Sequence, residues 1–326
     1  MFGLKNLLRV FPILVFLFIT SFVVESIAQA PYPNRPIMVV VVYGPGMADT
    51  MVRAISQIAE KKLGQPIIVE NKPGAGGALG TNYILKAEPD GYTIGVTATS
   101  VMSIIPHMRK LPFNPLTDVT DICSLYKYNH GLAVKSDAPW KTYEDVIAYA
   151  RKNPEKFTYA NAGVGTTQHL IMEMIAMKEG IKWTMVPYKS GGDSTIACLG
   201  GHTSGVTQGS VDLVPHIKAG KLRLLLSLND FRWPPVSDVP NILEKGYDFY
   251  ALNYNTVVGP KGIPEPIRQK LENVFRDSLK DSSLIEFANK FGVDIQFMTG
   301  KDYSNLWRSK NYEREKIIKT LGLKEE

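Results

Sequence analysis

Short apolar runs alternate along the chain with segments whose apolar residues recur at helical spacing. The run 37–42 predicts a strand buried on both faces, since a continuous apolar stretch is what a strand covered from two sides requires. Val52, Ile55, Ala59 and Leu63 then share one helix face, and Gly64 closes that helix. A strand over 66–70, a loop over 71–77 and a helix over 78–87 follow. The turn Glu88-Pro89-Asp90-Gly91 leads into a strand over 92–98. After a proline-rich stretch at 105–115, a second block opens near Tyr126 and runs to about Tyr250. Its strands are predicted over 131–135, 157–160, 184–187, 206–208 and 222–227, and its helices over 143–151, 167–179, 193–199 and 211–219. After 253–258 the loop Gly259-Pro260-Lys261-Gly262-Ile263-Pro264 precedes helical patterns over 265–279, 284–291 and 303–321. This βαβ rhythm is the signature of parallel sheets flanked by helices.

Three breaks stand between an expected strand and an expected helix: Tyr43-Gly44-Pro45-Gly46-Met47-Ala48-Asp49, the segment 73–80 and the segment 162–168. Such turns leave backbone N–H groups unpaired at the positive end of a helix, which favours a bound anion. The first and third contain no Lys or Arg. An anion there would rest on backbone donors and the hydroxyls of Thr166 and Thr167. Glycines also serve simply to make tight strand-to-helix turns, and the residues alone leave both uses open.

The N-terminus bears on where the protein works. Lys5 and Arg9 precede about 15 apolar residues from Val10 to Val24, short against the roughly 20 of a spanning helix. Small residues follow at Ser26-Ile27-Ala28-Gln29-Ala30, the layout of a secretory signal peptide. Cleavage is expected after Ala28, because Pro31 would obstruct a cut after Ala30. The formal charge is +6, and removing Lys5, Arg9 and Glu25 leaves +5. That charge is spread along the chain rather than gathered in a tract, which argues against nucleic acid. Cys123 and Cys198 are the only cysteines; they could pair in an oxidising exterior or stand as two buried thiols. The 298 residues after Ala28 exceed what one core usually supports, so two domains are expected.

A family resemblance rests on motifs in order. Pro33-Asn34-Arg35-Pro36-Ile37, the turn Pro45-Gly46-x-x-Asp49 with Arg53, Leu63-Gly64-Gln65-Pro66, the run from Val69 through Lys72-Pro73-Gly74 to Gly77, and Pro89-Asp90-Gly91-Tyr92-Thr93 come first. Tyr159-Ala160-Asn161-Ala162-Gly163, Gln168-His169-Leu170, Val186-Pro187-Tyr188-Lys189, the segment from His216 to Arg223, Val239-Pro240 and Gly246-Tyr247 continue it. Together they resemble the Bug family, the solute-binding components of tripartite tricarboxylate transporters. The likeness implies a periplasmic binding protein of two α/β domains, each a mostly parallel sheet flanked by helices, with the ligand cleft between them. It implies residues 29–124 plus 251–326 in one domain and 125–250 in the other, a small carboxylate ligand, membrane transporter subunits as partners, a monomer and no cofactor. Carried onto this chain, the ligand loops are 43–49 and 163–169. The expected ligand residues are Tyr43, Met47, Ala48, Asp49, Gly165, Thr166, Thr167 and His169, with Tyr188 after one strand and Ser100, Gln208 and Ser210 just past strand ends. His169 and Tyr188 fit structural roles as well as ligand contact.

Two departures bear on the ligand. Met47 and Ala48 stand where the family commonly has glycines, placing a flexible apolar side chain at the cleft. Gly200-Gly201-His202-Thr203-Ser204 lacks the Asp of the family's Gly-Gly-x-Val-Asp, which makes amino-acid ligands less attractive. The enzymatic reading is a hydrolase built on Ser194, but no Gly-x-Ser-x-Gly surrounds it, and Asp193 and Ser194 fit the start of a helix. Neither glycine-rich turn completes a dinucleotide fingerprint, and the five histidines lack metal-site spacing. The expectation is therefore a periplasmic carboxylate-binding protein feeding a transporter, with a ligand sensor reporting to a membrane receptor, and a hydrolase, as the other readings.

Overall fold

The computed structural model describes residues 31–323, so the expected signal peptide and its cleavage point lie outside the described residues. Two five-stranded sheets carry the fold. The first is built from β1 (Ile37–Val41), β2 (Ile67–Asn71), β3 (Thr93–Ala98), β4 (Val119–Lys127) and β10 (Tyr254–Pro260), in the order β2-β1-β3-β10-β4. The second uses β5 (His130–Lys135), β6 (Thr158–Asn161), β7 (Thr184–Pro187), β8 (Gly205–Gly209) and β9 (Leu222–Ser227), in the order β7-β6-β8-β5-β9. In each sheet one strand, β10 or β5, runs against four that share a direction. The expected two-domain α/β architecture is thus present, with the same strand pattern used twice.

Helices α1 (Met47–Leu63) and α2 (Ala78–Leu85) and the short α3 (Thr99–Ser103) follow β1, β2 and β3. In the second sheet α6 (Thr167–Glu179), α7 (Gly191–Leu199) and α8 (Ser210–Lys218) follow β6, β7 and β8. Their N-termini therefore gather at the carboxyl ends of the strands, where open α/β sheets bind ligands. Local chemistry sets these starts. Thr166 accepts from the N–H of His169 (3.4 Å) to cap α6, and Ser190 accepts from that of Asp193 (3.1 Å) to cap α7. α1 buries Met51, Val52, Ile55, Ala59 and Leu63 and ends at Gly64, whose φ of 69° puts it in the left-handed region.

The stretch 105–115, read as a proline-rich separator, opens with α4 (Ile105–Met108), and it is followed by β4, which the sequence pattern missed. β4 was hidden by Thr120, Asp121, Ser124 and Lys127, which interrupt its apolar run. Their side chains find partners far along the chain. Trp307 Nε1 donates to Asp121 (3.2 Å), Ser124 Oγ donates to the Gln296 carbonyl (2.8 Å), and Lys127 pairs with Asp230 (2.7 Å). α5 (Tyr143–Lys152) covers the second sheet. α9 (Glu265–Ser278), α10 (Ser282–Phe291) and α11 (Gly300–Leu321) close the fold.

The chain passes from the first sheet to the second through Tyr128 and Asn129, and returns between Ser227 and Tyr254. Asn229 ties the passages together: its Oδ1 accepts from the N–H of His130 (2.8 Å), and its Nδ2 donates to the carbonyls of Tyr128 (2.9 Å) and Ala251 (3.2 Å). Cys123 and Cys198 are buried free thiols, one on β4 and one on α7. Among the described residues no helix is long and apolar enough to cross a membrane, and no cluster of potential metal ligands occurs.

Candidate ligand-binding site

The gathered helix ends enclose a small cavity. Its wall includes Tyr43, Gly46, Met47 and Ala48 at the start of α1, Ser100 after β3, and Ala162, Thr166 and Gln168 at the start of α6. Gly191, Gln208 and Asp212 add the start of α7, the end of β8 and the first turn of α8, while Tyr128, His130 and Asn253 come from the passages between the sheets. The free space is about 30 Å³, room for about two waters at the ~10–15 Å³ each requires. Across Tyr43 and Ala162 it adjoins a groove of about 380 Å³ lined by 73–77, Arg109, Tyr188 and Lys189. The lobes meet closely around it. A Cβ on Gly44 would lie 3.3 Å from that of Ser190, and one on Gly76 would lie 2.8 Å from the Val164 carbonyl.

The wall mixes polar side chains with apolar surface, and no Lys or Arg is among the residues that line it. Burial holds the His130 imidazole down to about 3, so the ring is neutral. Asn253 Nδ2 donates to its Nε2 (3.4 Å), which leaves the ring proton on Nδ1. Nδ1 of His130 and Oδ1 of Asn253 have no partner, though the residues are only 2% and 3% exposed. Buried polar groups of this kind need partners, and a ligand in the cavity can supply them. Ser100 is buried beside the Tyr43 hydroxyl, which donates to the Gly76 carbonyl (3.2 Å). Burial of Asp212 pushes its carboxyl up to about 7, opposed by the N–H of Met47, which donates to it.

Of the residues expected from sequence, Tyr43, Met47, Ala48, Ser100, Thr166 and Gln208 are brought together at the cavity. Tyr188 lines the adjoining groove. The structure places the other five elsewhere. Asp49 turns to Arg53, whose Nε donates to it (2.9 Å). Gly165 packs on Ile105 and Met108, and its N–H donates to His169 Nδ1 (3.3 Å), so both belong to the turn beneath α6. Thr167 faces a separate groove with Leu170 and Arg314, because successive helix positions point about 100° apart. Ser210 Oγ donates to the Gly292 carbonyl (3.3 Å).

Tyr128, His130, Asn253 and Asp212 were missed. The first three lie at the passages between sheets, and a cleft between two domains should have drawn attention to passage residues. The segment 200–204 precedes β8, whereas Gln208 of the cavity lies near that strand's far end, so the missing Asp there does not touch the site. Ser194 Oγ donates to the Ser190 carbonyl (2.7 Å) and accepts from Gln208 Nε2 (3.1 Å), with no histidine on it, which removes the nucleophile role.

Two lobes of repeated topology, joined by two passages and closed over a small cavity lined by several polar side chains, define a solute-binding protein. Residues 51–323 match the sequence profile of the TctC family, described as the tripartite tricarboxylate transporter family receptor. The chain belongs to this family, whose members are binding proteins and not enzymes. A Cupriavidus necator relative, the UPF0065 protein in gbd 5'region, is 37% identical over 298 residues, covering 91% of this chain and 90% of that one. The periplasmic binding protein BugD superposes with a TM-score of 0.85 at 26% identity, over 90% of this chain and all (100%) of that one. MatC from Rhodopseudomonas palustris, solved with bound malate, gives 0.83 at 26%, over 88% of this chain and 100% of that chain.

Proposed function

We propose that this protein captures one small organic carboxylate in the periplasm, closes its two lobes over it and presents it to the membrane subunits of a tripartite transporter. The observation that carries the reading is the convergence of the α1, α6 and α7 N-termini on a cavity whose buried His130 Nδ1 and Asn253 Oδ1 lack partners. Helix N-termini hold anions through backbone N–H groups and partial positive charge, so the absence of lysine or arginine from the wall does not count against an acid. The malate bound by MatC supports the same class of ligand. A di- or tricarboxylate or an aromatic acid longer than the cavity would extend past Tyr43 into the adjoining groove.

Closure is assigned to Tyr128–Asn129 and to 251–253, where a few dihedral changes move one sheet against the other. Periplasmic location rests on the family and on the N-terminal pattern over 1–28. The protein acts as a monomer without a cofactor. The first test is a thermal-shift screen of protein unfolded and refolded to strip carried ligand, against mono-, di- and tricarboxylates, aromatic acids and amino acids. At about a hundred times its dissociation constant a ligand adds about 2.7 kcal/mol, a few degrees in midpoint. Folded protein that responds to no acid would overturn the proposal. Uptake of the identified acid should fall in cells lacking the protein, and unchanged uptake would remove the transport half.

A further inference from the structure

One wall of the cavity is itself a carboxylate. Asp212 stands in the first turn of α8, and its oxygens reach between the N-terminal ends of α1 and α7. A Cβ on Gly46 would lie 3.1 Å from Oδ1 and one on Gly191 would lie 2.5 Å from Oδ2, so these two glycines leave the room it needs. The N–H of Met47 donates to it. Asp212 therefore takes, at α1, the place a helix end offers to an anion. It has no lysine or arginine beside it in the cavity wall.

The cavity thus offers acceptors as well as donors. Asp212 and the unpartnered Oδ1 of Asn253 can receive hydrogen bonds, while the Nδ1–H of His130, the Ser100 hydroxyl and the backbone at the start of α6 can give them. A ligand bearing only carboxylates would bring a second anion close to Asp212 in a space with little room for water, so Asp212 must take up a proton to admit it, at a cost that grows with pH. A ligand with an ammonium beside its carboxylate satisfies both sets.

We propose that the ligand is a zwitterion, a small acid with a protonated amine next to its carboxylate, and that Asp212 receives the amine. The inference rests on the carboxylate reading above. It also reverses the sequence argument from 200–204, because the acidic group comes from a different place in the chain. The test is calorimetric titration of refolded protein at pH 8.5, where Asp212 is charged and the amino-acid amine still protonated, with matched pairs, L-glutamate against glutarate and L-aspartate against succinate, and with N-acetyl-L-glutamate as a third probe. At least one amino acid should bind ten or more times more tightly than its amine-free match, and acetylation should abolish the advantage. Asp212→Asn, which keeps an acceptor for the Met47 N–H, should lose that preference at least tenfold. Glutarate and succinate binding as well as glutamate and aspartate, or an amine preference that survives in the variant, would overturn the role of Asp212 while leaving acid capture standing. Binding of no acid at all would overturn both. The wild-type pairs decide the question even if the variant does not fold.

Discussion

Asp212 and His130 face one cavity with opposite proton balances. Burial raises the Asp212 carboxyl to about 7, from about 3.9 in an unfolded chain, so the folded state holds more protons across that interval. Its contribution to stability is full below about pH 4 and is lost as the pH rises through 7. His130, held down to about 3 from about 6.5, has the reverse sign, and its contribution is lost as the pH falls below 6.5. Between about pH 4 and 6.5 the two oppose each other. Asp212→Asn removes one and leaves the other. The stability of wild type minus variant should therefore rise by about 2–3 kcal/mol from pH 7.5 to pH 4.5, at about 1.4 kcal/mol per pH unit, in urea unfolding. A difference that does not change with pH would show that Asp212 titrates as it does unfolded. His130 could be reached from the sequence only through its place at a passage between the sheets, and Asp212 not at all. An Asp in the first turn of a helix is an ordinary favourable placement on the macrodipole, and only the approach of a second lobe sets Asp212 against the end of another helix. Met47 and Gln208 were legible because they sit at the carboxyl end of a strand or in the turn just past it, and their place needs one sheet only.

At the level of elements, the strands with unbroken apolar runs were readable and the strand with buried polar groups was not. β1 follows from its valines alone, whereas β4 depends on Trp307, Gln296 and Asp230, residues far along the chain. The glycine turns were readable as turns, but their second use, allowing backbone to approach backbone between lobes, appears only in three dimensions. Gly76 and Gly64 separate the two uses. Both are left-handed, with φ of 61° and 69°, so Ala at either costs about 1 kcal/mol. A Cβ on Gly64 meets nothing within 4 Å, while one on Gly76 lies 2.8 Å from the Val164 carbonyl in the opposite lobe and 2.9 Å from the flexible end of the Ile105 side chain in its own. Gly64→Ala and Gly76→Ala should therefore lower the melting midpoint by similar small amounts, yet only Gly76→Ala should weaken capture of the acid, by about tenfold for about 1.4 kcal/mol of hindered closure. Equal affinities in the two variants would mean that the closed contact at Gly76 adds nothing to binding.

On the scale of the whole molecule the two lobes are less separate than two sheets suggest, and the described residues from Arg35 onward form one compact unit. α11 explains much of this. Its first turns bury Tyr303 and Trp307 in the core of the first sheet, and its last turns bury Ile318 among Leu170, Ile171 and Ile175 of the second. Between them Arg314 is buried, and burial lowers its guanidinium to about 10; it donates to the Leu252 carbonyl (2.7 Å) in the returning passage and to Ser103 on α3. A helical pattern over 303–321 is plain in the sequence, but nothing in its periodicity says that its two ends serve different cores. Because both cores share this helix, heat should unfold the ligand-free protein in a single calorimetric transition. Ile318→Asp places a charge in the second core without touching the first, at a cost of several kcal/mol. The variant should split the transition, with the second lobe melting first and the first near its original midpoint. One sharp transition, merely shifted to lower temperature, would mean that the cavity-side contacts and the two passages couple the lobes by themselves, and that α11 is not what binds the halves into one folding unit.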